Sequence, residues 1–168
     1  MMNGNAGRRA IVGGVGMVPF RKPGQSEPYD LMGAAATRAA LADAGIGYDE
    51  VQAAYAGYVY GDSCSGQAAL YHVGMTGVPV FNVNNNCSTG SSALFLAREA
   101  VKGGLADCAL AIGFEKMEPG SLGVKYTDRT NALDKHAMRM FELRDPEPSP
   151  PAPQMFGNAG RDHMEKYG

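Results

Sequence analysis

Cysteine is scarce in this chain: Cys64, Cys87 and Cys108 are the three found among 168 residues. Three thiols make no even disulfide framework and show no C-x-x-C metal spacing, which suits a reducing compartment and leaves at least one thiol free. No apolar run approaches the roughly 18 residues needed to span a bilayer. Blocks of like charge are missing as well. With 15 basic and 17 acidic residues and a net charge of −2, neither nucleic acid nor an anionic membrane is suggested, and the expected partners are small molecules or proteins. The histidines, His72, His136 and His163, share no ligand spacing, so no metal is expected. Arg8-Arg9 before an apolar stretch has the outline of an export signal, yet Pro19, Phe20, Arg21 and Lys22 stand where a cleavage site would follow. That stretch reads instead as a strand. The expectation is a soluble, intracellular protein.

What is present is the material of a packed domain. Hydrophobic residues make up 45% of the chain, and the length suits one domain, or one and a fraction, with a sizeable core. Residues 9–16 read as a buried strand. A first helix is expected at 29–44, with Asp30 in or before its first turn, an apolar face of Leu31, Ala35, Ala39 and Ala42, and Gly45 as its stop. Strands are expected at 53–60 and 80–84, with a short helix at 67–75 between them. The helix after Cys87 carries Ala93, Leu94, Phe95, Leu96, Ala97, Ala100 and Val101, which cover so much of its circumference that it should be largely buried. Residues 108–114 form an apolar run typical of a strand covered on both faces. This β-α-β-α-β-α-β alternation implies an α/β fold, a mostly parallel sheet with right-handed crossovers and helices on both faces. After Phe114 the periodicity is lost: a short helix is expected at 133–143, the proline-rich 145–153 must be loop, and a further helix begins near Met155.

One stretch concentrates chemistry. Val80-Phe81-Asn82-Val83 runs into Asn84-Asn85-Asn86, and Cys87 then opens a segment of small residues leading into a helix. In parallel α/β sheets, ligands and nucleophiles gather at the carboxyl ends of strands, where helix-start amides favour an anion and hence a thiolate. Asparagine, serine and threonine suit a core-filling cysteine poorly, but position alone leaves both readings of Cys87 open, a small buried hydrophobe and a reactive thiol. Other motifs carry less. Gly14-Val15-Gly16 follows a strand as a dinucleotide fingerprint would, but its third glycine position is Pro19 and no helix opens there. Cys108 reads as a buried strand residue, and Glu115 and Glu118 form no acid/base pair.

Val83-Asn84-Asn85-Asn86-Cys87-Ser88-Thr89-Gly90-Ser91, with Gly113-Phe114-Glu115-Lys116-Met117 downstream, resembles the N-terminal half of the thiolases, specifically the sterol-carrier-protein type. Gly57-Tyr58-Val59-Tyr60-Gly61-Asp62, Tyr71-His72-Val73-Gly74, Thr127-Asp128-Arg129-Thr130, Ala152-Pro153-Gln154-Met155-Phe156-Gly157 and Asp162-His163-Met164 fit the same pattern, so the likeness covers essentially the whole chain. It implies an N-terminal α/β domain at 1–115 and an irregular loop domain that covers coenzyme A, incomplete, at 116–168. It implies that Cys87 is a nucleophile accepting an acyl group from coenzyme A, a co-substrate rather than a bound cofactor, with its own N–H helping to hold the thioester oxygen. Met117 and a turn at Met155, Phe156 and Gly157 match positions near the substrate. Cys64 falls in a region of dimer contacts and pocket rim.

The departure is as informative. Thiolases draw an activating histidine and a second cysteine from a C-terminal half that this sequence lacks, and the three histidines present match other parts of the pattern. The expectation is therefore the N-terminal portion of a dimeric acyl-CoA acyltransferase of lipid metabolism and fatty acid β-oxidation, catalysing 3-oxoacyl-CoA thiolysis or acetyl-CoA condensation in the cytoplasm, or in the peroxisomal matrix in a eukaryote. The 168-residue chain alone should be inactive. It should also expose the sheet face that a missing half or complementary chain would cover. Two alternatives stand beside this reading: a non-catalytic dimerisation or scaffold module, and a thiolase-like aldolase or condensing enzyme acting on sterol side-chain CoA esters.

Overall fold

Alanine and glycine decide how the elements of this protein pack. A computed structural model describes residues 8–124 and 126–168, which divide into one unit ending at Pro119 and another beginning at Gly120. In the first unit, helix α1 (Tyr29–Ala44) ends where Gly45 takes a left-handed turn at φ 68° and its N–H reaches the carbonyls of Leu41 and Ala42. The buried face of α1 is Gly33, Ala34 and Thr37, not the expected Leu31, Ala35, Ala39 and Ala42, all of which are exposed. Close approach explains the difference. A Cβ on Gly33 would stand 2.9 Å from the Ala69 Cβ and 3.2 Å from Phe114 Cδ1, so the smallest side chains, rather than the bulkiest, set which face turns inward.

A parallel sheet follows, with β1 (Ala53–Gly57) in the middle, β2 (Val80–Val83) on one side and β3 (Ala109–Gly113) on the other. Gly57 is in register with both Val83 and Gly113, so the three strands end level. Helix α2 (Ser65–Tyr71) joins β1 to β2, and α3 (Thr89–Lys102) joins β2 back across β1 to β3. Right-handed crossovers running in opposite directions put α2 and α3 on opposite faces, and α1 packs beside α2. The expected α/β fold, a parallel sheet with helices on both faces, is what the chain adopts.

Residues 9–16 correct the expectation of a fourth strand. They pair with no strand among the described residues, and Ile11, Val12 and Val15 are each at least 68% exposed. The segment lies along α1: a Cβ on Gly14 would fall 2.5 Å from the Ala40 carbonyl oxygen and one on Gly16 2.3 Å from that of Ala36, while the Val15 N–H donates to Asp43 Oδ2 at 2.8 Å. Its β-branched residues favour an extended chain, but a helix surface offers no ladder of free carbonyls, so no strand forms. Helix α3 also departs from expectation. Thr89, Ala93, Ala97 and Ala100 are buried, but Leu94, Phe95 and Leu96 stay 39–59% exposed. Open apolar surface therefore lies on the outer side of α3, and Phe81 on β2 is 50% exposed as well. On β3, Leu110 and Ile112 are buried while Ala109 and Ala111 are half-buried.

The core is Tyr48, Val51, Ala54, Leu70 and Leu110, with Leu41, Val73, Val78, Val80 and Cys108 packed on it. Burial, and then the nearby Glu50 carboxylate, push the Cys108 thiol up from its usual range, as suits a cysteine used for packing.

The second unit holds α4 (Asp134–Leu143) and α5 (Pro151–Tyr167). Arg144 joins them, bonding Asp162 through Nε at 3.1 Å and Glu165 at 2.8 Å. Residues 151–153, expected as loop, are the first turn of α5, because proline tolerates that turn where its missing N–H has no partner to lose.

Two outcomes follow. Leu70, 1% exposed, should cost about 2–5 kcal/mol when replaced by alanine, read as a lowered denaturant midpoint with unchanged slope. Asp30 accepts from His72 Nε2 at 2.8 Å, and that bond holds the Asp30 carboxyl below its ordinary range. The pair's stabilisation is therefore full above the ordinary carboxylate range and lost as pH falls through the lowered value. With the two side chains 29% and 44% exposed, it amounts to less than about 1 kcal/mol. Thermal unfolding of Asp30→Asn should lie below the parent near neutrality and converge with it in acid.

Candidate functional site

The three strands end level, and everything of chemical interest in the first unit gathers just beyond their carboxyl ends. Two glycines let α3 approach them. A Cβ on Gly57 would lie 2.7 Å from Thr89 Cγ2 and 2.8 Å from the Thr89 carbonyl oxygen, and one on Gly113 would be 3.3 Å from the Gly90 Cα. The first turn of α3 therefore rests on the backbone of β1 and β3. Cys87, exposed, sits immediately before that turn.

The asparagines and hydroxyls around Cys87 spend their polar groups on the turn itself. Asn86 is held at φ 45°, a left-handed conformation that asparagine accepts more readily than most residues. The Ser88 N–H and hydroxyl both donate to the Asn85 carbonyl, at 3.1 and 2.9 Å. Buried Thr89 works in both directions: its hydroxyl accepts the Asn85 N–H at 2.8 Å and donates to the Asn86 carbonyl. Asn85 Nδ2 reaches the Ser92 hydroxyl at 2.9 Å, and the Asn84 side chain accepts the Asn86 N–H at 3.2 Å. Cys87 is consequently presented by a cross-braced turn. The first amide of α3, the Thr89 N–H, also turns back, to the Asn86 carbonyl at 3.0 Å, which leaves the amides after Thr89 as the ones suited to an anion.

The neighbouring loops are fixed from the side. The Glu115 carboxylate, two residues past β3, accepts the Val59 N–H at 2.8 Å and the Tyr60 N–H at 3.1 Å. This grip ends β1 at Gly57 rather than at the expected residue 60. Phe114 is stacked between Tyr29 and Tyr58, both centroid separations being 5.4 Å, which holds the root of Glu115. The Tyr60 phenol is pushed up from its ordinary range, first by burial, then by the Glu115 carboxylate and then by Cys87, so it stands within electrostatic reach of both. Asn82 on β2 accepts the Gly66 N–H at 2.9 Å and donates to Gln67 at 2.8 Å, tying down the start of α2, which Cys64 enters at φ 61°.

Of the residues singled out from sequence, Cys87 lies at this edge and Met117 is half-buried in the same unit. Met155, Phe156 and Gly157 belong to the second unit, inside α5 rather than in a turn, and Phe156 is 80% exposed. His72 is engaged by Asp30, and His163 is tilted against Tyr167 at 4.9 Å. Tyr60, Gly57 and Glu115 were not singled out as site residues; their signal was position, each falling at or within three residues of a strand's carboxyl end. Among the described residues, no three His, Cys, Asp or Glu side chains converge as a metal site, and no helix is long and apolar enough to cross a membrane. Two open grooves, of about 460 and 500 Å³, lie elsewhere, one lined by Tyr48, Leu70 and Met75 among others and the second by Val18, Leu31 and Met32. Neither includes Cys87.

Comparison with known proteins agrees with this arrangement. Residues 10–145 match the family described as thiolase, N-terminal domain. Sterol carrier protein 2 of Bos taurus is 57% identical over 162 residues, covering 95% of this chain and 30% of that protein. Non-specific lipid-transfer protein-like 2 of Caenorhabditis elegans is 46% identical over 165 residues, covering 95% of this chain and 40% of its own length. The crystal structure of 3-oxoacyl-[acyl-carrier-protein] synthase III from Aquifex aeolicus VF5 matches with a TM-score of 0.53 at 25% identity, over 67% of this chain and 37% of that one. The chain thus spans less than half the length of each of them.

The Gly57 contact can be tested directly. Gly57→Ala should cost about 1–3 kcal/mol, because the clash is with backbone, and should slow alkylation of Cys87 while leaving Cys108 unchanged, read by peptide mass mapping after iodoacetamide.

Proposed function

The chain belongs to the thiolase family through its N-terminal domain, and from that premise we propose that it is the nucleophile-bearing portion of an acyl-CoA acyltransferase. The observation that carries this reading is the exposed Cys87 thiol on a cross-braced turn at the start of α3. For a 3-oxoacyl-CoA, the Cys87 thiolate attacks the keto carbon. The bond between that carbon and its neighbour then breaks, acetyl-CoA departs as a carbanion equivalent that takes up a proton, and an acyl group remains as a thioester on sulfur. The thiolate of a second coenzyme A attacks the thioester carbonyl and releases Cys87. Condensation is the same sequence reversed. The backbone N–H of Cys87 helps to hold the developing oxyanion.

The rest of the machinery is proposed on family grounds. A C-terminal half or complementary chain supplies the histidine that activates Cys87 and a second cysteine for proton transfer, and covers Leu94, Phe95 and Leu96 on the outer face of α3. Residues 116–168 act as the loop domain over coenzyme A, with Met117, Met155, Phe156 and Gly157 near the substrate. The assembled enzyme works as a homodimer in fatty acid β-oxidation. Three free cysteines are consistent with cytoplasm or peroxisomal matrix.

The test is thiolysis of acetoacetyl-CoA and longer 3-oxoacyl-CoA by a protein that joins this chain to its C-terminal half, followed by loss of the 3-oxoacyl enolate absorbance. Activity is expected there and not in the 168-residue chain, and Cys87→Ala should lower it by several orders of magnitude, as removal of a nucleophile does. Thiolysis surviving that substitution would sink the assignment. A Cys87 that labels no faster than Cys64 would favour a scaffold module, and cleavage of sterol side-chain CoA esters without thiolysis would favour an aldolase.

A further inference from the structure

We propose that Glu115 is a positioning residue for Cys87: its carboxylate serves as a side-chain rung of the sheet and so fixes the strand end on which the Cys87 turn is seated. The inference rests on the reading of Cys87 as nucleophile and adds a group to its support. Bonds in a parallel ladder are evenly spaced, and a strand between two neighbours serves them alternately. At the carboxyl end of β1 the Tyr58 N–H goes to the Val83 carbonyl of β2 at 3.3 Å, and the Gly57 carbonyl takes the Phe114 N–H just past β3 at 3.1 Å. The next N–H due toward β3 is that of Val59, but β3 has ended at Gly113. Glu115 fills the place. One carboxylate oxygen takes the Val59 N–H at 2.8 Å and the other the Tyr60 N–H at 3.1 Å, so one side chain satisfies two amides beyond the last strand pair.

The effect reaches Cys87 through close packing at the strand end. Gly57, two residues before Val59, lies against the first residue of α3: a Cβ there would stand 2.7 Å from Thr89 Cγ2 and 2.8 Å from the Thr89 carbonyl oxygen. The Thr89 hydroxyl in turn accepts the Asn85 N–H at 2.8 Å and donates to the Asn86 carbonyl, and these are the two residues immediately before Cys87. A strand end free to shift at Val59 and Tyr60 would carry Gly57 with it and loosen that brace. A carboxylate suits the task, since bonds to an ionised acceptor are the stronger ones and it takes two donors without offering one. Glutamine has the same shape, but its amide accepts one of the two N–H groups and turns a donor against the other. Of the charged groups nearby, Lys116 is paired with Glu118 at 3.4 Å, and the Asp62 carboxylate takes the Ser63 N–H at 2.7 Å.

Iodoacetamide labelling of the 168-residue chain, mapped by mass spectrometry from about pH 6 to about pH 10, needs no turnover. Removing a negative charge near a thiol by itself moves the rate–pH curve to lower pH. Loss of the seat does the opposite, because the amides at the start of α3 that favour a thiolate are no longer held against it. In Glu115→Gln the Cys87 curve should move to higher pH by about half a unit, slowing labelling on its acid limb roughly threefold, with the Cys108 curve unmoved. Glu115→Asp keeps the charge and loses the reach, and should move the curve the same way. A Cys87 curve that superimposes on the parent, or moves to lower pH, in either variant overturns the proposal. Amide hydrogen exchange follows the path: in Glu115→Gln the Val59, Tyr60 and Asn85 N–H groups should exchange faster and the Gly45 N–H, which caps α1, should not. Faster exchange at Val59 and Tyr60 alone, or at all four equally, overturns it. Combined with Gly57→Ala, Glu115→Gln should slow labelling by less than the product of the separate factors, as two steps on one path do, and full multiplication overturns it. If Cys87 in the parent labels no faster than Cys64, the nucleophile reading fails by itself, while the Glu115 comparison is still read on Cys87's own curve.

Discussion

The start of α3 lies against bare backbone at the ends of β1 and β3, and the site depends on that approach. Gly57 and Gly113 leave no side chain between strand and helix. With α3 seated so close, Thr89 is buried at 4% exposure and its hydroxyl becomes the brace between the carbonyl of one asparagine and the N–H of another. Wider spacing would leave that hydroxyl in water and the left-handed turn at Asn86 without support. The position of Cys87 is therefore a packing result as much as a hydrogen-bonding one.

Some of this was legible in the residues. Gly45 marked the end of α1, and the run into Asn84-Asn85-Asn86 marked the passage from strand to helix that holds Cys87. Long-range arrangements were not legible. Residues 9–16 have the composition of a strand, but pairing requires a neighbouring ladder, and composition does not say that the segment lies on α1 instead. The buried face of α1 was misread because alanine counts as apolar on every side, whereas the packing was chosen by Gly33 and its closest approach. Leu94, Phe95 and Leu96 promised a buried helix, yet burial depends on what lies across from a side chain. Glu115 has no partner nearby in sequence; its partners, the N–H groups of Val59 and Tyr60, are 56 and 55 positions away.

The relatives are broad in what they are called. Their names speak of sterol carriage and lipid transfer, while the condensing-enzyme structure shares the same α/β frame. A parallel sheet with a helix start at its carboxyl edge suits any chemistry needing an anionic sulfur or oxygen held by amides, so the frame is common ground. The distinctive part of this chain is local: the asparagine-rich turn and the Glu115 grip.

The groups bearing on Cys87 all lie between Tyr29 and Glu115 and belong to a single unit, with α4 and α5 coming later. Domains generally fold as units, N-terminal first during synthesis. On the ribosome, the thiol and its braces can thus be in place while the residues of the second unit are still being translated. The nascent chain then offers an ordered, exposed sulfur while later residues are still being added, so its chemistry begins before synthesis ends.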